Sequence, residues 1–211
     1  MAEKSTICPC VTATDPHIYR EQMARIEPFA SRVHIDFADG EFAPKLVDLA
    51  DAYWPEHIMA DLHLMYSRPA QYFETIVKLK PNLVIIHAEA TGDLPGLLLE
   101  LRQAGIKVGV ALLKDTQPEE HNTIIAIADH VLIFSGDLGH FGGQADLELL
   151  KKVADIKAIN PTVELGWDGG VNTENAPSLI DGGVEVLDVG GFIQRAEDPK
   201  QAYNDLIELD R

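Results

Sequence analysis

The sequence predicts a (β/α)8 barrel formed as a single domain over residues 1–211. Short, nearly continuous apolar runs rich in β-branched residues recur eight times, as parallel strands covered on both faces require. Amphipathic stretches of roughly ten to twenty residues separate them, long enough for crossover helices. No low-complexity stretch, charge block or Pro/Ser-rich linker divides the chain, and 211 residues suit one barrel.

In order, the runs are Thr6–Val11, Arg32–Asp36, Ile58–Leu64, Leu83–His87, Lys107–Leu112, His130–Phe134, Thr162–Trp167 and Val184–Val189. Helix ends stand out in places. Asp93 precedes Leu97–Leu101 and Gly105 follows it, while Pro118 opens a segment over Thr123–Ala128. The expected unit is βα, repeated eight times. An open doubly wound sheet shares that alternation, but no Gly-x-Gly-x-x-Gly follows the first run, which removes its usual nucleotide signature.

Composition narrows the class of partner. A hydrophobic fraction of 46% supports a sizeable core, and the formal net charge of −17 repels nucleic acid and anionic membrane where no basic patch intervenes. No such patch is visible. The N-terminus lacks a basic segment followed by an apolar one, and no apolar run approaches the roughly 18 residues that cross a bilayer. Cys8 and Cys10 share one face of a strand and are poorly placed for a disulfide. They read as small buried hydrophobes rather than as a redox or thiolate metal site. A soluble, cytoplasmic protein is expected.

Active sites of such barrels lie at the C-terminal ends of the strands. The second run ends in Val33-His34-Ile35-Asp36, where strand alternation points His34 and Asp36 the same way. The third run offers His63, and the seventh ends in Trp167-Asp168 before Gly169-Gly170. Two imidazoles and two carboxylates make a mixed N/O shell for one divalent metal ion, with Zn²⁺ the first candidate and Fe²⁺, Mn²⁺ or Co²⁺ also compatible. Singly, each residue reads as a hydrogen-bonded strand end or a turn cap. Four such groups in a dry barrel without a cation would leave charge poorly compensated. If Asp36 and Asp168 flank a bound ketose, one removes the proton beside the carbonyl and the other delivers a proton to the opposite face, inverting that carbon. The metal would stabilise the enediolate, and no organic cofactor is required. His87 and Glu89 end the fourth run and are candidates for a layer behind the metal ligands. His17, His57, His121 and His130 belong to no constellation.

Three glycine pairs, Gly142-Gly143, Gly169-Gly170 and Gly190-Gly191, follow the sixth, seventh and eighth runs. Loops at these positions, with a short helix N-terminus, form the phosphate site of many barrels, where glycine lets backbone N–H groups approach the anion.

Ile7-Cys8-Pro9-Cys10, His34-Ile35-Asp36-Phe37-Ala38-Asp39-Gly40, Asp61-Leu62-His63-Leu64-Met65, His87-Ala88-Glu89-Ala90, Phe141-Gly142-Gly143-Gln144 and Asp168-Gly169-Gly170 together resemble the ribulose-phosphate 3-epimerase family over nearly the whole chain. The resemblance implies that His34, Asp36, His63 and Asp168 bind metal and that Asp36 and Asp168 are the acid and base. It also places Cys10 and His63 beside a phosphorylated ketose held by the glycine loops. The implied reaction is D-ribulose 5-phosphate to D-xylulose 5-phosphate, and a homo-oligomer is expected. The chain departs from the family at Cys10, where serine is usual, at Ala38 and Phe134, where methionines are usual, and at Lys45, where asparagine is common. The lead-in Gly136-Asp137-Leu138-Gly139-His140 is one residue longer and lacks a proline. A six-carbon ketose phosphate such as allulose 6-phosphate, or a non-catalytic phosphosugar-binding barrel, are the alternatives. A lyase or decarboxylase of the Asp-x-Lys-x-x-Asp type is disfavoured, because Ala38 and Glu41 stand at the required positions.

Overall fold

When both faces of a strand are covered, inward and outward side chains are both apolar, and all eight runs accordingly form parallel strands. The computed structural model describes residues 5–140 and 143–209, so Gly142, expected to hold phosphate, lies outside the described residues. The strands are β1 (Thr6–Thr12), β2 (Arg32–Ala38), β3 (Met59–Met65), β4 (Leu83–His87), β5 (Lys107–Leu112), β6 (His130–Phe134), β7 (Glu164–Asp168) and β8 (Val186–Val189). They pair in chain order and close through β1 and β8.

The helices are α1 (Pro16–Ile26), α2 (Phe73–Leu79), α3 (Leu94–Gln103), α4 (Asn122–Ile125), α5 (Lys152–Ile159), α6 (Ala176–Asp181), α7 (Gly191–Gln194) and α8 (Pro199–Glu208). Three of the longest begin alike. Asp15, Asp93 and Asp198 accept bonds from backbone N–H groups of α1, α3 and α8, each ahead of a proline that has no N–H to satisfy. Helix α3 buries Leu94, Leu97, Leu98 and Leu101 along one stripe. It ends as the sequence predicts: Gly105 takes a φ of +83°, and the Ile106 N–H returns to the Leu101 carbonyl at 3.1 Å.

Strict βα repetition does not hold. Among the described residues no α-helix joins β2 to β3, where a single 3-10 turn forms over Leu49–Asp51. Pro44 and Pro55 break any helical run there, and Asp39 caps a turn by accepting from the Glu41 and Phe42 N–H groups, each at 2.8 Å. This connection folds over the mouth, packing Phe42, Ala43 and Leu46 with Ala38, Met65 and Leu138. Two helices, α7 and α8, follow β8. The helix expected over Thr123–Ala128 is shorter, a 3-10 turn over Pro118–His121 leading into α4.

The barrel interior is layered. At the floor the Arg32 guanidinium donates to Asp61 Oδ2 at 2.6 Å and, through both terminal nitrogens, to the two oxygens of Glu164 at 2.9 and 2.8 Å. Asn82 donates to Asp61 and the His130 ring meets Glu164 at 2.8 Å, so His130 does belong to a constellation, a floor network. Above it Leu83, Ile85, Ala111 and Leu132 fill the middle. Gly166 is required there, since a Cβ at that position would lie 2.4 Å from His130 Nε2.

Candidate active site

Barrel closure sets the inward residues of neighbouring strands side by side: Cys10 pairs with His34, Thr12 with Asp36, Asp36 with His63, Phe134 with Asp168, and Asp168 with Asp188. The four expected ligands converge. His34 Nε2 and His63 Nδ1 lie 3.1 and 2.9 Å from Asp36 Oδ1, and 3.9 and 4.0 Å from Asp168 Oδ2. One donor atom from each of His34, Asp36, His63 and Asp168 falls within 4.8 Å of all the others. Four-coordinate N/O sites with bonds of about 2.0–2.2 Å bring donors to roughly 3.3–3.6 Å of one another. The donor set therefore fits a divalent cation.

The electrostatics agree with that fit. Burial opposes charge on Asp36, but His34 and His63 outweigh it and hold the carboxyl far below the usual range. Asp168 goes the other way, pushed well up by burial and by the Asp36 charge. Burial pulls His34 down, but the carboxylates of Asp188 and Asp36 raise it well above an ordinary histidine, whereas burial lowers His63 to about 4. Two imidazoles in one cluster are thus driven apart by what lies behind them.

Behind His34 stands Asp188, its Oδ2 3.3 Å from His34 Nδ1, with no hydrogen-bond partner for either carboxylate oxygen. Behind His63 stands His87, Nε2 to Nε2 at 2.9 Å, and behind His87 stands Glu89 at 3.3 Å. The Thr12 hydroxyl donates to Asp36 Oδ2. Asp188 and Thr12 were not singled out from sequence. Asp188 had a visible signal, a carboxylate set between Leu187 and Val189 at a strand's C-terminal end.

Above the cluster opens a cavity lined by Cys10, Asp36, Asp168, Gly143, Gly169, Gly170, Gly190 and Gly191. His63 lies beneath that lining and is fully buried. Thr12, Asn172, Phe192 and Arg195 line the cavity as well and were not anticipated, while loop residue His140 is exposed and reaches its rim. Phe134 forms one wall, its ring 5.8 Å from His63 and 5.9 Å from His87. Glycine is obligatory at the β7 turn. A Cβ on Gly169 would lie 2.1 Å from Gly136 N, and one on Gly170 would lie 2.3 Å from Ala145 N. The turn is further held by Trp167, whose indole N–H donates to the Gly169 carbonyl at 3.1 Å. Cys8 and Cys10 are free and buried, and burial followed by nearby carboxylates pushes both thiols well up, as inert strand cysteines behave.

Residues 6–193 match the ribulose-phosphate 3 epimerase family. The chain belongs to that family. As a member it is an isomerase of the racemase and epimerase group acting on carbohydrates. Ribulose-phosphate 3-epimerase of Helicobacter pylori strain ATCC 700392 / 26695 is 33% identical over 186 residues, covering 84% of this chain and 85% of that protein. The enzyme of the same name from Bacillus subtilis strain 168 is 29% identical, covering 84% and 86%. Among solved structures, 3-hexulose-6-phosphate synthase from Salmonella typhimurium superposes with a TM-score of 0.70 at 12% identity, covering 97% of each chain. N-(5'-phosphoribosyl)anthranilate isomerase from Pyrococcus furiosus does so at 0.63 and 16%, covering 98% of each. These last two share the fold. Among the described residues no helix is long and apolar enough to cross a membrane.

Proposed function

We propose that this epimerase inverts carbon 3 of a ketose phosphate, with D-ribulose 5-phosphate to D-xylulose 5-phosphate as the reaction, using Asp36 and Asp168 as its proton-transfer pair. The observation that carries this is the convergence of His34, Asp36, His63 and Asp168 beneath a glycine-lined cavity. Those four residues would hold one divalent cation, zinc foremost, which when bound supplies Lewis-acid stabilisation to negative charge developing on substrate oxygen.

The chain's own residues do the rest. In the metal-free chain the imidazoles hold Asp36 down while burial and the Asp36 charge push Asp168 up, so the two carboxyls differ in proton affinity, as a base and an acid working as a pair do. Thr12, donating to Asp36 Oδ2, fixes that carboxylate and leaves Oδ1 to the imidazoles. Gly143, Gly169, Gly170, Gly190 and Gly191 offer backbone rather than side chain to the cavity, which suits a phosphate in a protein this acidic. Cys10 and Phe134 close the sides and exclude water. A six-carbon ketose phosphate is the second reading, favoured by the altered β6 loop, which brings His140 to the rim.

The test is incorporation of solvent deuterium at carbon 3 of D-ribulose 5-phosphate and of allulose 6-phosphate, with added metal and after chelation. Exchange into the pentose that is lost on chelation supports the proposal. A metal-replete protein that exchanges neither sugar is a phosphosugar-binding barrel without this chemistry.

A further inference from the structure

Asp36, His63, His87 and Glu89 form one buried line with three gaps: Asp36 Oδ1 to His63 Nδ1 at 2.9 Å, His63 Nε2 to His87 Nε2 at 2.9 Å, and His87 Nδ1 to Glu89 Oε2 at 3.3 Å. Each gap brings two acceptor-capable atoms together and needs one positive bridge, a proton or a cation. Two neutral imidazoles carry two protons between them. Three gaps and two protons leave one gap for something else.

A cation on the proposed ligands would satisfy the gap at Asp36, which leaves the two protons to the other two gaps, and the far end sets how they sit. Glu89 Oε1 accepts from the Leu113 N–H at 3.0 Å and from the Thr116 hydroxyl, so the carboxylate is pinned with Oε2 turned to His87. Lys152 steadies the same corner, donating to the Leu113 carbonyl at 2.6 Å. A carboxylate only accepts, so His87 carries its proton on Nδ1 and presents a bare Nε2. His63 must then carry its proton on Nε2, leaving Nδ1 as a lone pair facing Asp36 and the other ligands. Phe42 and Phe134 cover His87, with ring centres at 4.7 and 5.9 Å, so water does not break the line.

We propose that Glu89, acting through His87, is a positioning residue that dictates the tautomer of His63 and so keeps Nδ1 available to a divalent cation. The inference rests on the proposed reading of His63 as a ligand. It makes a directional claim. In Glu89→Gln the amide oxygen is claimed by the Leu113 N–H and the Thr116 hydroxyl, which turns the NH2 group toward His87. His87 then needs a bare Nδ1 and a protonated Nε2, and His63 is forced to place its proton on Nδ1, where the cation would bind.

The experiment pairs nitrogen-15 NMR of the histidine rings in Zn²⁺-loaded protein with calorimetric Zn²⁺ titration against a competing chelator. Zn²⁺-loaded wild type is expected to show protonated His87 Nδ1 and His63 Nε2, and Glu89→Gln to bind Zn²⁺ about 10- to 100-fold more weakly. Glu89→Asp, which keeps the carboxylate, is expected to keep the wild-type ring protonation and recover most of the affinity. A bare His87 Nδ1 in wild type, or Zn²⁺ binding by a folded Glu89→Gln within about threefold of wild type, overturns the inference. A wild type that takes up no Zn²⁺, Mn²⁺ or Co²⁺ overturns instead the metal reading on which it rests.

Discussion

The two ends of this barrel both bury ionisable groups and treat them in opposite ways. At the floor Arg32, Asp61, Glu164, His130 and Asn82 bond to one another with a guanidinium between two carboxylates, and His130 Nε2 alone of that network is left without a hydrogen bond. At the mouth Asp36, Asp168 and Asp188 crowd the imidazoles of His34 and His63, with the Thr12 hydroxyl on Asp36, and Asp188 faces His34 at 3.3 Å without a formed hydrogen bond to either of its oxygens. A buried charge without a partner costs several kcal/mol. The floor is closed electrostatically by the chain itself, and the mouth is built to be closed by something it binds.

The largest expected effect separates the ends by function. Asp36→Asn or Asp168→Asn should lower deuterium exchange by about 10²- to 10⁴-fold, with metal-free thermal stability unchanged or raised in Asp168→Asn, because a crowded carboxylate has been removed. Loss of folding in that variant would contradict the contrast. Next comes the converse. Arg32→Met leaves Asp61 uncompensated and should cost about 3–5 kcal/mol, measured by denaturant unfolding, while Zn²⁺ affinity stays near wild type.

A pH series sharpens the comparison further. His34 and Asp168 are both raised in the metal-free protein, so each binds protons more readily folded than unfolded. Their contribution to stability is therefore largest at low pH and declines as pH rises past about 4 for the aspartate and about 6.5 for the histidine. A cation must displace those protons, so its affinity rises over the same range. The melting temperatures of chelated and metal-loaded protein should diverge from pH 6 to pH 8, and a gap that stays constant would sink this account. The smallest effect concerns the floor. Burial opposes charge on Glu164, but bonds from Arg32 and His130 hold it well below its usual range, so its contribution is present above about 4.3 and lost as pH falls. Its side chain is 37% exposed, which limits the effect to about 1 kcal/mol or less. Glu164→Gln should flatten the acid limb of the stability curve between about pH 4 and pH 2.

How much of this was visible in the sequence follows from the same physics. Strands β4, β5 and β6 run as the apolar pattern predicts, because their residues are chosen for packing. Strands β1, β2, β3 and β7 continue one or two residues past the predicted ends, through Thr12, Ala38, Met65 and Asp168. Polar working residues at or near three of those ends interrupt the apolar signal where the strand still continues. The convergence of the candidate ligands was legible because alternation fixes the face of His34, Asp36 and His63. The partnership of His34 with Asp188 was not, since it depends on barrel closure through β1 and β8. The floor joins Arg32 to a residue 132 positions away, a pairing that no local pattern contains.

The backbone contact between Gly136 and Gly169 leaves no side chain as a cushion between the β6 loop and the residue next to Asp168. The Ser135 N–H, donating to the Asp168 carbonyl at 2.7 Å, ties the same two segments. Lengthening or shortening the β6 loop therefore moves an acid group as well as a wall. Under the proposed role of Asp168, retuning which sugar fits and retuning how fast its proton moves would be one mechanical operation.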